Sequence, residues 1–186
     1  MPDFDLAVIG AGAAGLSVTA AAAQLGLRVA LIERGRMGGD CLNAGCVPSK
    51  ALLAAGHAAA DARRAGRFGI RLSEPTIDWD AVTTHVHGAI AAIAPMDSVA
   101  RYRALGATVL QGEARFLDPD TLAVDGRRLT ARRFVIAAGS RAAMPAIPGL
   151  RDAAPLTNET LFATLPQPSH LLILGGGPVG LEMAPA

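Results

Sequence analysis

Leu6-Ala7-Val8-Ile9 is apolar for four residues and stops at Gly10. A run this short, bounded by glycine, fits a strand buried on both faces, here Asp5 to Ile9. The alanine-rich stretch that follows predicts a helix to about Leu25, closed by Gly26, and Arg28 to Glu33 predicts a second strand. Together these make a βαβ unit of ordinary length. A glycine-rich loop from Gly35 to Gly45 then leads into a helix from about Pro48 to Ala65. Proline near a helix start is tolerated, because its missing N–H would have no helical acceptor there. Another helix begins near Asp78 or Asp80, breaks at Pro95, restarts after Asp97-Ser98 and ends near Gly106.

Beyond Ala107 the period shortens to that of strands. Thr108–Gln111, Ala114–Leu117 and Thr121–Val124 are expected strands, with turns at Asp118-Pro119-Asp120 and Asp125-Gly126. Phe134-Val135-Ile136-Ala137 is expected to be another buried strand, ending at Gly139. The proline-rich stretch from Met144 to Pro168 reads as a linker with a short helix around Glu159 to Ala163. Leu171-Leu172-Ile173-Leu174 then repeats the opening theme as an expected strand running into Gly175-Gly176-Gly177-Pro178-Val179-Gly180.

Composition narrows the function classes. Over 186 residues, 17 basic and 16 acidic side chains leave a net charge of +1, which gives no electrostatic footprint for nucleic acid. Hydrophobic residues make up 51% and charged ones 18%, a folded and not a disordered balance. No apolar run approaches the roughly 20 residues of a membrane-spanning helix. The first residues, Met1-Pro2-Asp3-Phe4-Asp5, carry acids where a secretory signal carries bases, so the expectation is a soluble, cytoplasmic protein. Aromatics are scarce at 4%, so the core must be built from Ala, Val, Leu and Ile. Of the 17 basic residues only Lys50 is a lysine, and it stands four residues after Cys46.

Gly10-x-Gly12-x-x-Gly15 sits between strand and helix, where each glycine has a task. Gly10 permits the tight turn, Gly12 lets backbone approach a pyrophosphate, and Gly15 lets helix and strand pack closely. Glu33, at the end of the second strand, is placed to accept from a ribose hydroxyl. Strand, motif, helix, strand and acid in this order predict an α/β, Rossmann-like dinucleotide-binding domain: a parallel sheet with helices, plus an antiparallel β meander.

Cys41 and Cys46 lie in Gly38-Gly39-Asp40-Cys41-Leu42-Asn43-Ala44-Gly45-Cys46-Val47-Pro48-Ser49-Lys50. Three readings compete. A structural disulfide would close so short a loop that chain entropy supplies only about 2 kcal/mol, and a reducing cytoplasm opposes it. A zinc site needs two more ligands, with His85 and His87 the candidates. A redox pair cycling between dithiol and disulfide fits best, since the helix start after Cys46 and the Lys50 charge both favour a thiolate. His57, His85 and His87 otherwise read as ordinary helix residues, and Arg127-Arg128 and Arg132-Arg133 as exposed edge charges flanking strands.

At these residues the chain resembles the class I pyridine nucleotide–disulfide oxidoreductases, the flavoproteins that include mercuric reductase, glutathione reductase and dihydrolipoamide dehydrogenase. The resemblance runs over essentially the whole chain. It adds Gly112-Glu113-Ala114, the segment Ala137-Ala138-Gly139-Ser140, and the second motif Gly175-x-Gly177-x-x-Gly180. It implies an FAD site at Gly10, Gly12, Ala13, Ala14, Gly15, Glu33, Arg34, Gly39, Asp40, Ala114, Ala138, Gly139 and Ser140. Cys46 matches the flavin-side thiol, which forms the charge-transfer complex in the family, and Cys41 the interchange thiol that attacks substrate. Lys50 matches the lysine near flavin N5, and Glu182 the acid that pairs with it. Gly175, Gly177 and Gly180 match the opening of the NAD(P)H-binding domain.

The resemblance further implies electron flow from NAD(P)H through FAD to a Cys41–Cys46 disulfide, and then to a small disulfide or Hg(II), with no metal cofactor. Asp40, where threonine is usual, and Ser49 lean toward the mercuric reductase branch; Ala138 replaces a threonine common at its place. The implied domains are an FAD-binding segment over 1–150, a linker over 151–169 and the start of an NAD(P)H-binding domain over 170–186. The family's dimerisation domain has no counterpart here, although family members are homodimers. The alternatives are a catalytically inactive, truncated flavin-binding module, or the N-terminal part of a dihydrolipoamide dehydrogenase.

Overall fold

A computed structural model describes residues 1–185. The chain divides into two compact units, Met1–Asn43 with Ile93–Arg141, and Ala44–Ala92 with Ala142–Ala186.

The first unit is built on six strands: β1 (Phe4–Ile9), β2 (Val29–Glu33), β3 (Thr108–Gln111), β4 (Ala114–Asp118), β5 (Thr121–Val124) and β6 (Arg127–Ile136). Their order across the sheet is β3-β2-β1-β6-β5-β4. The pairs β1–β2, β2–β3 and β1–β6 are parallel, while β4–β5 and β5–β6 are antiparallel. This is the expected α/β architecture, a parallel nucleotide-binding sheet joined to a β meander. Helix α1 (Ala13–Gln24) supplies the crossover from β1 to β2, and Gly26, at φ +78°, turns the chain out of it.

Alternation along the strands sends neighbouring residues to opposite faces. Val8, Val29, Leu31 and Val109 pack with Leu16 and Ala22 of α1 and with Tyr102. Ala7, Ala30 and Ile32 pack on the other face with Leu122, Val124, Leu129 and Ala131 of the meander. The sheet is therefore covered on both sides, which is why β1 and β2 read as unbroken apolar runs.

Strand β6 differs from the expectation of a short buried strand at Phe134–Ala137. It is ten residues long, and its first half pairs with β5 while its second half pairs with β1. The arginines at 127, 128, 132 and 133 lie inside it and not beside it. They are exposed, while Leu129 and Ala131 between them are buried. Its end is open too, with Ile136 72% exposed. The β5–β6 hairpin turns at Asp125 and Gly126, both with positive φ (44° and 81°), the geometry that matches the twist of two-residue hairpins.

The expected 35–45 loop also contains a short helix, α2 (Gly39–Ala44). Gly38 and Gly39 take positive φ (88° and 55°), after which Leu42 N–H returns to Gly38 C=O. Pro95 breaks the later helical stretch as expected: a 3-10 turn at Ala94–Asp97 precedes α5 (Val99–Ala104), which Ser98 caps by accepting from the Arg101 N–H.

The second unit is helical, with α3 (Cys46–Arg64), α4 (Trp79–Ile93), α6 (Asn158–Thr164) and α7 (Pro178–Met183). Ala51, Leu52, Val86, Phe162, Leu165 and Met183 form its core. Trp79 Nε1 donates to the Leu165 carbonyl at 2.9 Å, and His87 Nε2 lies 3.0 Å from the Phe162 carbonyl. The expected strand at Leu171–Leu174 does not form. No described strand lies alongside to give it a ladder, and Leu172 is 81% exposed. No described helix is long and apolar enough to cross a membrane.

Candidate active site

The β1–α1 turn in the first unit is a floor from which side chains are excluded. A Cβ on Gly10 would collide with the Ala137 carbonyl, and one on Gly15 would overlap the Gly10 carbonyl oxygen. One on Gly39 would lie 2.6 Å from Gly12 Cα, so α2 and the turn meet backbone to backbone. Gly12 is the N-cap of α1, with no side-chain cap and no acid in the first helical turn. The first-turn N–H groups, those of Ala13 and Ala14 among them, have no acceptor inside the helix and stand at the positive end of its dipole. Such a surface suits an anionic group held close to backbone.

Glu33 closes one end of this floor. Its Oε2 accepts from Ala11 N–H and its Oε1 from Gly35 N–H, both at 2.6 Å. Each oxygen keeps a lone pair for a hydroxyl donor. Arg34 follows it on the exposed side. Ala138 abuts Gly10, Gly139 turns with φ 71°, and Ser140 is exposed beyond it. Ala114 opens β4, half-buried and paired with Val124. The structure thus gathers Gly10, Gly12, Ala13, Ala14, Gly15, Glu33, Gly39 and Ala138 around one turn.

Asp40 lies exposed in the first turn of α2 and Cys41 is half-buried on the same helix. Cys46 is the first residue of α3, one step further into the helix than the sequence suggests, and is exposed. No disulfide joins Cys41 to Cys46. Among the described residues no group of three or more His, Cys, Asp and Glu side chains is arranged to hold a metal ion.

In the second unit, Lys50 Nζ on α3 donates to Glu182 Oε1 on α7, an ion pair between residues 132 apart in sequence. The Lys50 hydrogen bond holds the Glu182 carboxyl below the ordinary carboxylate range against a smaller opposing effect of desolvation, and the Ser49 hydroxyl assists. Ser49 is buried, and the Cys46 carbonyl, 3.3 Å from its Oγ, is the alternative acceptor for its one hydroxyl proton. The second glycine motif repeats the packing of the first. A Cβ on Gly180 would lie 2.6 Å from the Gly175 carbonyl oxygen and 3.1 Å from Ile173 Cγ2, just as Gly15 faces Gly10 and Val8. Gly177 is the N-cap of α7, as Gly12 is of α1.

Two residues of this region carry no role in the sequence reading. Asn43 Nδ2 donates to the carbonyls of Met37 (2.9 Å) and Gly39 (2.8 Å), bracing the turn that enters α2. Asn158 Nδ2 donates to the Ala44 carbonyl at 3.4 Å, just before Cys46. Asparagine beside a pair of glycines is the available signal for the first, since its amide competes for local backbone carbonyls. The second rests on a contact over 114 residues that no local pattern announces.

A family profile described as pyridine nucleotide-disulphide oxidoreductase matches residues 4–186. The chain belongs to this family. It is 43% identical to the mercuric reductase of Streptomyces lividans, over 97% of this chain and 40% of that protein. The mercuric reductase of Bacillus cereus is 34% identical, over 97% of this chain and 29% of the relative. The glutathione reductase of Nostoc sp. (strain PCC 7120 / SAG 25.82 / UTEX 2576) is 31% identical, over 98% and 39%. The chain thus spans between 29% and 40% of the length of these pyridine nucleotide–disulphide oxidoreductases.

Proposed function

We propose that this chain is the flavin-binding and dithiol-bearing part of an FAD-dependent oxidoreductase that takes electrons from NAD(P)H and delivers them to Hg(II) or a small disulfide. The observation that carries the reading is the backbone-lined floor where Gly12 meets Gly39, with uncapped helical N–H groups above it and the Glu33 carboxylate at its edge. These residues fit a dinucleotide: the first-turn N–H groups of α1 would hold its pyrophosphate and Glu33 a ribose hydroxyl. FAD, when bound, supplies the two-electron chemistry that links a nicotinamide to a dithiol.

The side chains then divide the remaining work. Cys46, the first residue of α3, is the thiol kept toward the cofactor. Cys41 is the thiol that meets substrate. Lys50 supplies a fixed positive charge beside the cofactor, and Glu182 orients it. Arg34, Asp40, Ala114, Gly139 and Ser140 complete the cofactor contacts, and Gly175, Gly177 and Gly180 belong to the nicotinamide nucleotide site. In this reading residues 1–150 bind FAD, 151–169 link, and 170–186 begin the NAD(P)H-binding domain. The mercuric reductase relatives favour Hg(II) over other acceptors.

A second reading has its own support. Leu172, Leu174, Val179 and Leu181 are all more than half exposed, and the 171–174 run has no ladder among the described residues. On that basis the 186-residue chain binds flavin without turning over. FAD titration of the purified chain, followed by flavin fluorescence, tests the proposal. Saturable binding lost in Gly12→Val supports it, and binding unaltered by that change removes it. Sustained NADH oxidation with Hg(II) by the chain alone would remove the second reading.

A further inference from the structure

Strand β3 is an edge of the sheet, and its outer side is not bare. A cavity of about 700 Å³ lies along it, lined by Arg103 of α5, residues 107–111, and Val124, Asp125 and Arg127 of the β5–β6 hairpin. The strand register fixes which backbone groups face it. Gly112 N–H bonds to Glu33 C=O, so Leu110 and Thr108 point toward β2, and Val109 and Gln111 point outward. Consistently, the Val109 carbonyl accepts from Arg103 Nη2 at 3.4 Å.

Donors dominate what remains. Arg103 spends one N–H on Val109, and among the described residues no side-chain bond or ion pair engages Arg127. The outward N–H groups of Val109 and Gln111 add two more donors. The carboxylate on the rim, Asp125, accepts from Glu113 N–H at 3.4 Å and lies against Gly112. An added β-strand does not suit this edge: β3 is four residues long, and one of its two outward carbonyls is already taken.

We propose that this cavity binds a small oxyanion of the phosphate monoester or carboxylate class. Arg103 and Arg127 hold the oxyanion, and the outward N–H groups of β3 orient it. The site is separate from the glycine floor and does not depend on the flavin reading.

The test is an amide NMR titration of the chain with phenyl phosphate, benzoate and inorganic phosphate, with Arg103→Gln and Arg127→Gln in parallel. The proposal expects saturable shifts at the Val109 and Gln111 N–H groups when these anions are added. Each arginine change should weaken binding about tenfold, the size of a lost charge-assisted hydrogen bond, with FAD binding unaltered. Strong phenyl phosphate with weak benzoate identifies a phosphate ester site, and the reverse a carboxylate site. Shifts confined to residues 12–15, no saturable shift at Val109 and Gln111, or an affinity in both arginine variants unchanged from the unsubstituted chain overturns it.

Discussion

Lys50 and Glu182 face each other across α3 and α7, joined by a charge-assisted hydrogen bond. The pair ties α3, which begins at Cys46, to the helix of the second glycine motif, and the Ser49 hydroxyl lies between the Glu182 carboxyl and the Cys46 carbonyl as alternative acceptors. The carboxyl of Glu182 is held low, so the tie is fully present at neutral pH, above the ordinary glutamate range. It is lost as the pH falls through the depressed value. Lys50→Met is expected to return the Glu182 titration toward its ordinary position and to speed amide exchange across α7. Carboxyl NMR titration and hydrogen exchange check both. Because the two side chains are substantially exposed, added salt should weaken the effect.

Gly39→Ala separates close approach from backbone freedom. Its Cβ would meet Gly12 Cα at 2.6 Å, on top of a left-handed conformation that costs an L-residue about 1–2 kcal/mol. Gly26, at φ +78° with nothing near its Cβ position, carries the second cost alone. Denaturant titration should show a loss of about 1 kcal/mol for Gly26→Ala with FAD binding kept, and a larger loss for Gly39→Ala with FAD binding abolished.

At the other end of the sheet, Asp3 accepts from the N–H and hydroxyl of Thr130, and Asp5 accepts from Arg28. These hydrogen bonds hold both carboxyls below the ordinary aspartate range, so their support of β1 against β2 and β6 persists above that range and disappears as acid protonates them. Thr130 N–H exchange should therefore accelerate below the ordinary aspartate range. Asp3→Asn should show that faster exchange already at neutral pH.

Core packing supplies a contrast. Leu31 is fully buried between α1 and the sheet, whereas Leu25, just past α1, is 80% exposed. Leu31→Ala should cost about 2–5 kcal/mol of unfolding free energy. Leu25→Ala should stay within about 0.5 kcal/mol.

The parts of this molecule legible in its sequence are those set by local chemistry. Gly10, Gly12 and Gly15 announce a turn that only glycine fits, and the apolar runs of β1 and β2 announce strands covered on both faces. Ser98 after Pro95 announces the restart of α5. What escaped depends on partners distant in the chain. The first half of β6 is hidden by its arginines, and becomes a strand because Thr121–Val124 folds against it. Leu171–Leu174 has the composition of a strand but no neighbour to pair with. At the site, the cysteines and Lys50 stand out by type and spacing. The bracing by Asn43 and Asn158 becomes visible only once the carbonyls they hold are in place.

In the proposed function Cys41 and Cys46 form a reversible couple at the cofactor. Its most direct measurement is a redox titration of the FAD-loaded chain with quantified thiols, alongside Cys41→Ser and Cys46→Ser. The expected result is a two-electron transition between two thiols and one Cys41–Cys46 disulfide. The dithiol form should also show a long-wavelength absorbance that Cys46→Ser removes and Cys41→Ser retains. Two thiols that never join on oxidation, or an absorbance indifferent to Cys46, would contradict it.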